Sequence, residues 1–466
     1  MKILLLFICL PFAGPAFSQS VSKKLSDAIE SLQKDSQFLH AGISIFVTDA
    51  HTGEAVFQKN AETGMAPASC QKIITSAAAF ELLGKNFNYK TYMAVNGEIK
   101  NNILRGDLVF MGAGDPTLGS WRWKQTMQEV ILKKINTVIK KNNITAIDGD
   151  LVVYNPYFGY NPVPDGWIWQ DIGNYYGAGA WGLNWNENQY DVKLKSTQLI
   201  NDSTEIVATV PSNFKNSIIN FVTSAKKGSG DNVYLYAAPY SNNIFARGTI
   251  PVGENEFKVS GSMPNPSLAF AKNVAAQFDD NAIKYSGNIV TDFTMDGNKT
   301  AQLKILDSLV SPGFDSMNYW FLKKSINLYG EAFVKTIAIK NNSAGATDSG
   351  IAIIRNFWST KGIDKSSIKI IDGSGLSPAN RVTTKALVAV LLYAQKQPWF
   401  SSFYFDLPLI NNIKMKDGYI NGVRSYSGYI KSSNGKEYCF SFIVNNFDGN
   451  PGTVKDKMWK LLDLLK

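Results

Sequence analysis

Ser69-Cys70-Gln71-Lys72 places a hydroxyl and an amine three residues apart, immediately before the apolar stretch Ile73 to Leu83. On a helix that spacing puts both side chains on one face, so the amine comes within hydrogen-bond reach of the hydroxyl. A lysine that loses its proton through burial or a neighbouring cation can then act as the base for that hydroxyl. Ser31/Lys34, Ser212/Lys215 and Ser366/Lys369 have the same spacing and read as solvated faces. Ser69 differs in its position at the start of an apolar helix, where backbone N–H groups and the helix dipole stabilise a developing oxyanion. Ser325-Ile326-Asn327 lies in a helical stretch and offers a hydroxyl for proton relay and an amide to orient lysine and substrate. Its alternative is a plain polar helix turn, and Ser316-Met317-Asn318 competes for the role. Lys416-Asp417-Gly418 precedes the strand-like Val423 to Ile430, where a strand edge can present a lysine to a substrate carboxylate.

Composition narrows the chemistry to these residue types. The 466 residues include two histidines, His40 and His51, and three cysteines, Cys9, Cys70 and Cys439. No CxxC or HExxH spacing occurs, so a local zinc site is excluded and no cofactor is expected. Gly177 to Gly182 spells GxGxxG, but Leu183 to Asn188 after it is not an amphipathic helix, so a dinucleotide site is set aside. A 45% apolar composition supports a packed core. The net charge of +9 is spread in short lysine pairs, without the basic runs of a nucleic-acid binder.

Positioning these groups requires elements from both ends of the chain. Met1 to Ser18 reads as a cleaved signal peptide, predicting export to the periplasm. Ala41 to Val47 and Ala55 to Phe57 read as a hairpin, and Ile73 to Leu83 as a buried helix stopped at Gly84. The middle third is a series of short strands around one helix near residues 123–141. Long helices are expected over 318–340, 346–360 and 384–395, followed by strands over 426–431 and 438–444 and a terminal helix. That last helix is read as packing on a sheet, with membrane association at most peripheral. Cys70 and Cys439 are favoured as two buried thiols over a disulfide.

These motifs resemble the D-alanyl-D-alanine carboxypeptidase and endopeptidase family of low-molecular-mass class C penicillin-binding proteins. The most specific matches are Gly114-Asp115-Pro116-Thr117-Leu118 and Asp372-Gly373-Ser374-Gly375-Leu376-Ser377, and Leu183 to Asn188 adds to them. The resemblance implies an α/β fold like the penicillin-binding proteins and serine β-lactamases, with helices on an antiparallel sheet and large β-rich inserted domains. It divides the chain into 19–90 with 305–466 for the peptidase domain, 91–200 with 290–304 for an inserted domain, and 201–289 for a second, nested one.

The same resemblance implies the roles. Ser69 attacks the carbonyl of a peptidoglycan stem peptide or cross-link with Lys72 as base, Ser325 relays the proton, Asn327 holds Lys72 and substrate, and Lys416 attracts a terminal carboxylate. The oxyanion hole falls to the N–H groups of Ser69 and Tyr419, with Gly418 between them and Lys416, and β-lactams are covalent inhibitors. Three positions depart from the pattern. Asp417 stands where the family has Thr or Ser, and either repels the carboxylate or points away. Tyr419 replaces a small residue, which narrows the cleft. An acidic residue expected four before Phe158, for recognising diaminopimelate, is Tyr154.

Overall fold

The computed structural model describes residues 15–291 and 303–466; the first fourteen residues of the expected signal segment lie outside the described residues. Six strands form one antiparallel sheet in the order Leu409–Ile410, Ile413–Ile420, Val423–Lys431, Glu437–Asn445, Gly42–Asp49, Ala55–Lys59. The N-terminal hairpin therefore completes a sheet whose other strands lie at the C-terminal end. Gly42 to Asp49 pair with Asn445 to Tyr438 residue by residue.

Both faces of this sheet are covered, which explains why its strands read as continuous apolar runs. Cys439 and Ile443 point to the helices on one side, whereas Phe440, Phe442 and Val444 point to the terminal helices on the other. Helices Pro15–Lys34 and Pro451–Leu462 cover that second face through Leu25, Ile29, Val454 and Met458. The terminal helix thus packs on the sheet, and among the described residues no helix is long and apolar enough to cross a membrane. On the first face, helix Lys72–Leu82 is buried from Lys72 through Phe80, as its all-round apolar pattern predicts. Phe314, Phe321, Phe333 and Trp358 pack in the same core, each fully buried side chain worth about 1.5–3 kcal/mol.

One expected helix is broken. Instead of a single helix over residues 318–340, Phe314–Lys323 ends at Lys324 and a new helix runs from Asn327 to Lys340. Ser325 sits in the break with φ of 58°, a left-handed conformation unfavourable for a serine. No glycine or proline marks this point, so local propensity favoured continuity.

The chain between the hairpin and these helices builds three further sheets. A seven-stranded sheet combines strands from residues 90–154 with strands from 284–310. Two three-stranded sheets come from residues 189–262. Lys284–Tyr285 pair with Ala146–Ile147 in the larger sheet, while Gln189–Lys195 pair with Glu205–Val210. We propose that the nested module follows sheet membership, from Gln189 to Ser262, rather than 201–289.

Helix Asn327–Lys340 is the seam between these modules and the core built on the six-stranded sheet. Tyr329 Oη donates to Glu187 Oε1 at 2.7 Å, and Lys335 Nζ donates to the Asn161 and Ala180 carbonyls at 2.7 and 2.9 Å. Glu187 is fully buried and also accepts Arg122 Nε and Nη2 at 2.7 and 3.0 Å and Ser120 Oγ at 2.6 Å. Removing one partner of a buried ion pair leaves the other charge uncompensated. Glu187→Ala is expected to lower stability by about 3–5 kcal/mol in a chemical denaturation curve; an unshifted curve would show that this seam does not hold the modules together.

Candidate active site

Ser69 lies in a 3-10 turn, Ala68–Gln71, that runs directly into helix Lys72–Leu82. The turn starts with a fully buried Ala68 at φ of 45°. Pro67 just before it accepts the Ser425 hydroxyl at 2.5 Å and the Cys70 N–H at 3.2 Å, which fixes the kink. A side chain on Gly375 would collide with the Ala68 carbonyl, so the loop after Asp372 closes onto this turn only because residue 375 is glycine. Ser69 is thereby aimed into a cleft of about 750 Å³, whose lining also includes Ser325, Asn327, Tyr176 and Tyr419.

Lys72 has no solvent exposure. Its Nζ is 3.0 Å from Ser69 Oγ, 2.6 Å from Asn327 Oδ1 and 2.7 Å from the Ser374 carbonyl oxygen. An ammonium donates to all three. A neutral amine has two N–H bonds for Asn327 and Ser374, and its lone pair then faces Ser69, which becomes the donor. The environment favours that neutral form. Burial, and next the positive charge of Lys416, bring Lys72 down to about 7, against the opposing pull of Asp372, Glu331 and Asp417. Glu331, also fully buried, is pushed up to about 8 by burial and by Asp372, which weakens its pull on Lys72.

The loop that supplies the Ser374 carbonyl is organised by Asp372. This fully buried carboxylate accepts from Gln71 Nε2, Asn380 Nδ2 and Gly375 N through Oδ1, at 2.9, 2.9 and 2.8 Å, and from Trp167 Nε1 and Ser377 N through Oδ2, at 3.0 and 2.7 Å. Thr75 Oγ1 donates to the Gly373 carbonyl at 2.7 Å. Asn327 is held from the other side, its Nδ2 donating to the Tyr176 carbonyl at 2.8 Å.

The third motif lies on the sheet edge. The short strand Leu409–Ile410 pairs with Ile413 and Lys414, and Met415 N donates to the Pro408 carbonyl, so among the described residues the edge from Lys416 to Ile420 has no ladder partner. Gly418 brings that edge against the turn: a Cβ there would lie 2.7 Å from the Pro67 carbonyl oxygen and 2.9 Å from Ser69 N. Lys416, only 1% exposed, donates to Asp417 O at 2.7 Å and to Asp417 Oδ1 at 2.8 Å. Burial opposes the Asp417 charge, but Lys416 and Arg424 overcome this and hold the carboxyl below its ordinary value. Tyr419 is half-exposed with the Arg424 guanidinium 4.5 Å from its ring centroid.

Ser69, Lys72 and Asn327 thus form one hydrogen-bonded group, with Ser325 and Tyr419 in the lining of the same cleft. Phe158 is not among the cleft residues. It is 5% exposed and packed with Gly114, while Lys335 Nζ lies 5.4 Å from its ring centroid. The acid on the cleft wall is instead Asp171, which accepts from the Tyr176 hydroxyl at 3.3 Å and whose carboxyl burial raises. Sequence reading missed Asp171, Tyr176, Glu331 and the role of Asp372; an Asp followed by Gly-Ser-Gly was the available signal of a side-chain-organised turn. The alternative Ser-x-x-Lys pairs are all exposed. Asn318 of the competing Ser-Met-Asn triplet is buried elsewhere, bonded to Ser76 and Asp406. Cys70 and Cys439 are separate buried thiols, and Cys70 Sγ donates to the Lys416 carbonyl at 3.2 Å.

The D-Ala-D-Ala carboxypeptidase 3 (S13) family model matches residues 25–465. The chain belongs to this family. It is similar to the D-alanyl-D-alanine carboxypeptidase DacB of Haemophilus influenzae, with 23% identity over 94% of this chain and 90% of that protein. A D-alanyl-D-alanine carboxypeptidase of Actinomadura sp. strain R39 is 25% identical over 95% of this chain and 85% of its own length. Among solved structures, penicillin binding protein 4 of H. influenzae shares the fold at a TM-score of 0.80 and 21% identity, covering 95% of this chain and 99% of that one. The expected fold class, an α/β peptidase core with β-rich insertions, is therefore the observed one.

In this S13 chain the Asp372 carboxylate serves five donors, three on Oδ1 and two on Oδ2, so Asp372→Asn forces an N–H₂ group against at least two of them. A loss of about 2 kcal/mol or more is expected in denaturation, together with slower modification of Ser69 because the Ser374 carbonyl no longer holds Lys72. Unchanged stability and unchanged modification would contradict the organising role of Asp372.

Proposed function

We propose that this chain is a periplasmic serine D,D-peptidase that cleaves D-Ala-D-Ala ends or cross-links of peptidoglycan stem peptides through a Ser69 acyl-enzyme, and that β-lactams trap that intermediate. The observation that carries this proposal is the Lys72 amine, buried and 3.0 Å from Ser69 Oγ, with two other acceptors engaging its N–H bonds. Neutral Lys72 takes the Ser69 proton as Oγ attacks the carbonyl carbon. The N–H groups of Ser69 and Tyr419 take up the developing oxyanion beside Gly418. The C–N bond then breaks, and the proton held by Lys72 passes through the Ser325 hydroxyl, in the lining of the same cleft, to the leaving amine, which returns Lys72 to its neutral form. Water attacks the ester, releases the shortened peptide and restores Ser69.

Asn327 is assigned to hold Lys72 and the substrate amide, and Lys416 to keep positive charge next to Lys72. Asp171 on the cleft wall is the acidic group available to a cationic stem-peptide side chain, in place of Tyr154 and Phe158. The leader pattern of Met1 to Ser18 and the D-alanyl-D-alanine carboxypeptidase activity named for the relatives support a periplasmic site of action. A second reading is a peptidoglycan-binding protein of the same fold with weakened catalysis. The observation that favours it is the Asp417 carboxylate seated on Lys416.

Incubation with a fluorescent penicillin separates the two. The proposal predicts covalent label on Ser69, none in Ser69→Ala, and a labelling rate about 10²–10⁴ lower in Lys72→Ala. Because the neutral amine is the active form, the rate should rise with pH through about 7 and level off above it. Folded protein that takes no label at high dose would overturn the enzyme reading in favour of the binding one.

A further inference from the structure

Asp417 carries information beyond a weakened motif. The Lys416 ammonium lies in the sheet interior beside the Ser69 turn, and two oxygens of Asp417 already occupy it, at 2.7 and 2.8 Å. Asp417 is itself bracketed, with Lys416 on one side and the charge of Arg424 on the other. Its side chain remains 40% exposed at the free edge of Ile413–Ile420, two residues from cleft-lining Tyr419. Neither Lys416 nor Asp417 lines the cleft itself, so an anionic group would have to reach past Tyr419 and the Ser69 turn toward Lys416, displace a covalently tethered carboxylate and meet its like charge. The Arg424 guanidinium is laid over the Tyr419 ring and is not among the groups that line the cleft. A neutral amide that reaches this strand edge, by contrast, brings no charge for Asp417 to repel and can donate to its carboxylate.

We propose that Asp417 is a specificity-determining residue: it closes Lys416 to anionic groups, so the cleft favours a leaving residue whose carboxyl is amidated or peptide-linked over one ending in a free carboxylate. This inference rests on the D,D-peptidase reading above. It deepens that reading by naming the substrate class, and it treats the altered motif as a changed preference.

The test uses the full chain and two acylated D-Ala-D-Ala peptides that differ only at the C-terminus, one a free acid and one a primary amide. The readout is the ratio of kcat/KM for acid over amide, which is independent of the fraction of protein that is folded. Wild type should favour the amide. Both Asp417→Thr and the isosteric Asp417→Asn should raise the acid-to-amide ratio by about tenfold or more, chiefly through KM for the acid. Fluorescent penicillin, which carries a carboxylate, should also label Asp417→Thr faster than wild type. A wild-type preference for the acid, or a ratio that neither substitution moves, overturns the inference while leaving the peptidase reading intact. No turnover of either peptide together with no label on Ser69 overturns the peptidase reading, and this inference falls with it.

Discussion

The structure depends on a lysine that has been taken out of water. Lys72 is a strong base in solution, useless at neutral pH because it is already protonated. Full burial and the proximity of Lys416 remove most of that preference for the charged form. Two oxygens, from Asn327 and Ser374, then fix where the remaining N–H bonds point, and Ser69 receives what is left. Each of the three partners comes from a different part of the chain: the turn before the helix, the break between two helices, and the loop around Asp372. The fold brings these parts together.

The inserted modules contribute to the same point. Tyr176 holds the Asn327 amide, and Glu187 and the carbonyls of Asn161 and Ala180 grip the helix that Asn327 begins. Those modules also supply the cleft wall that includes Asp171. Their attachment combines apolar packing, through Phe158, Ala180 and Trp167, with buried polar bonds, and the polar part makes it sensitive to loss of a partner and specific in geometry. A module that merely packed on the core through apolar contacts would not set the position of one amide so closely.

Much of this was legible in the residues. Helix Lys72–Leu82 announced its burial by being apolar all round, and the shared sheet followed from apolar runs at both ends. Ser69 and Lys72 were singled out by residue type and spacing, Asn327 was separated from the competing Asn318 only by the family resemblance, and the fold hydrogen-bonds the three together. What was not legible depends on tertiary context. Ser325 occupies a left-handed break that no glycine or proline advertises, held by bonds from Asn327 to Lys72 and Tyr176. Phe158 was expected at a substrate subsite because the family resemblance retains it four residues after Tyr154, but a loop folds according to what it packs on, and Phe158 packs on Gly114 and beneath Lys335. Asp372 stood out only as part of a string, because five donors drawn from residues 71 to 380 converge on it only in three dimensions.

The central claim is that Lys72 exchanges its proton near neutral pH. The most direct measurement is a pH titration of the folded protein with ¹³C-labelled lysine side chains, assigning the Lys72 signal by its absence in Lys72→Arg. A midpoint near pH 7, well separated from the other lysines, is what burial and Lys416 together require. A Lys72 signal that stays in its ammonium form until about pH 10, with the exposed lysines, would contradict the account of how this site activates Ser69.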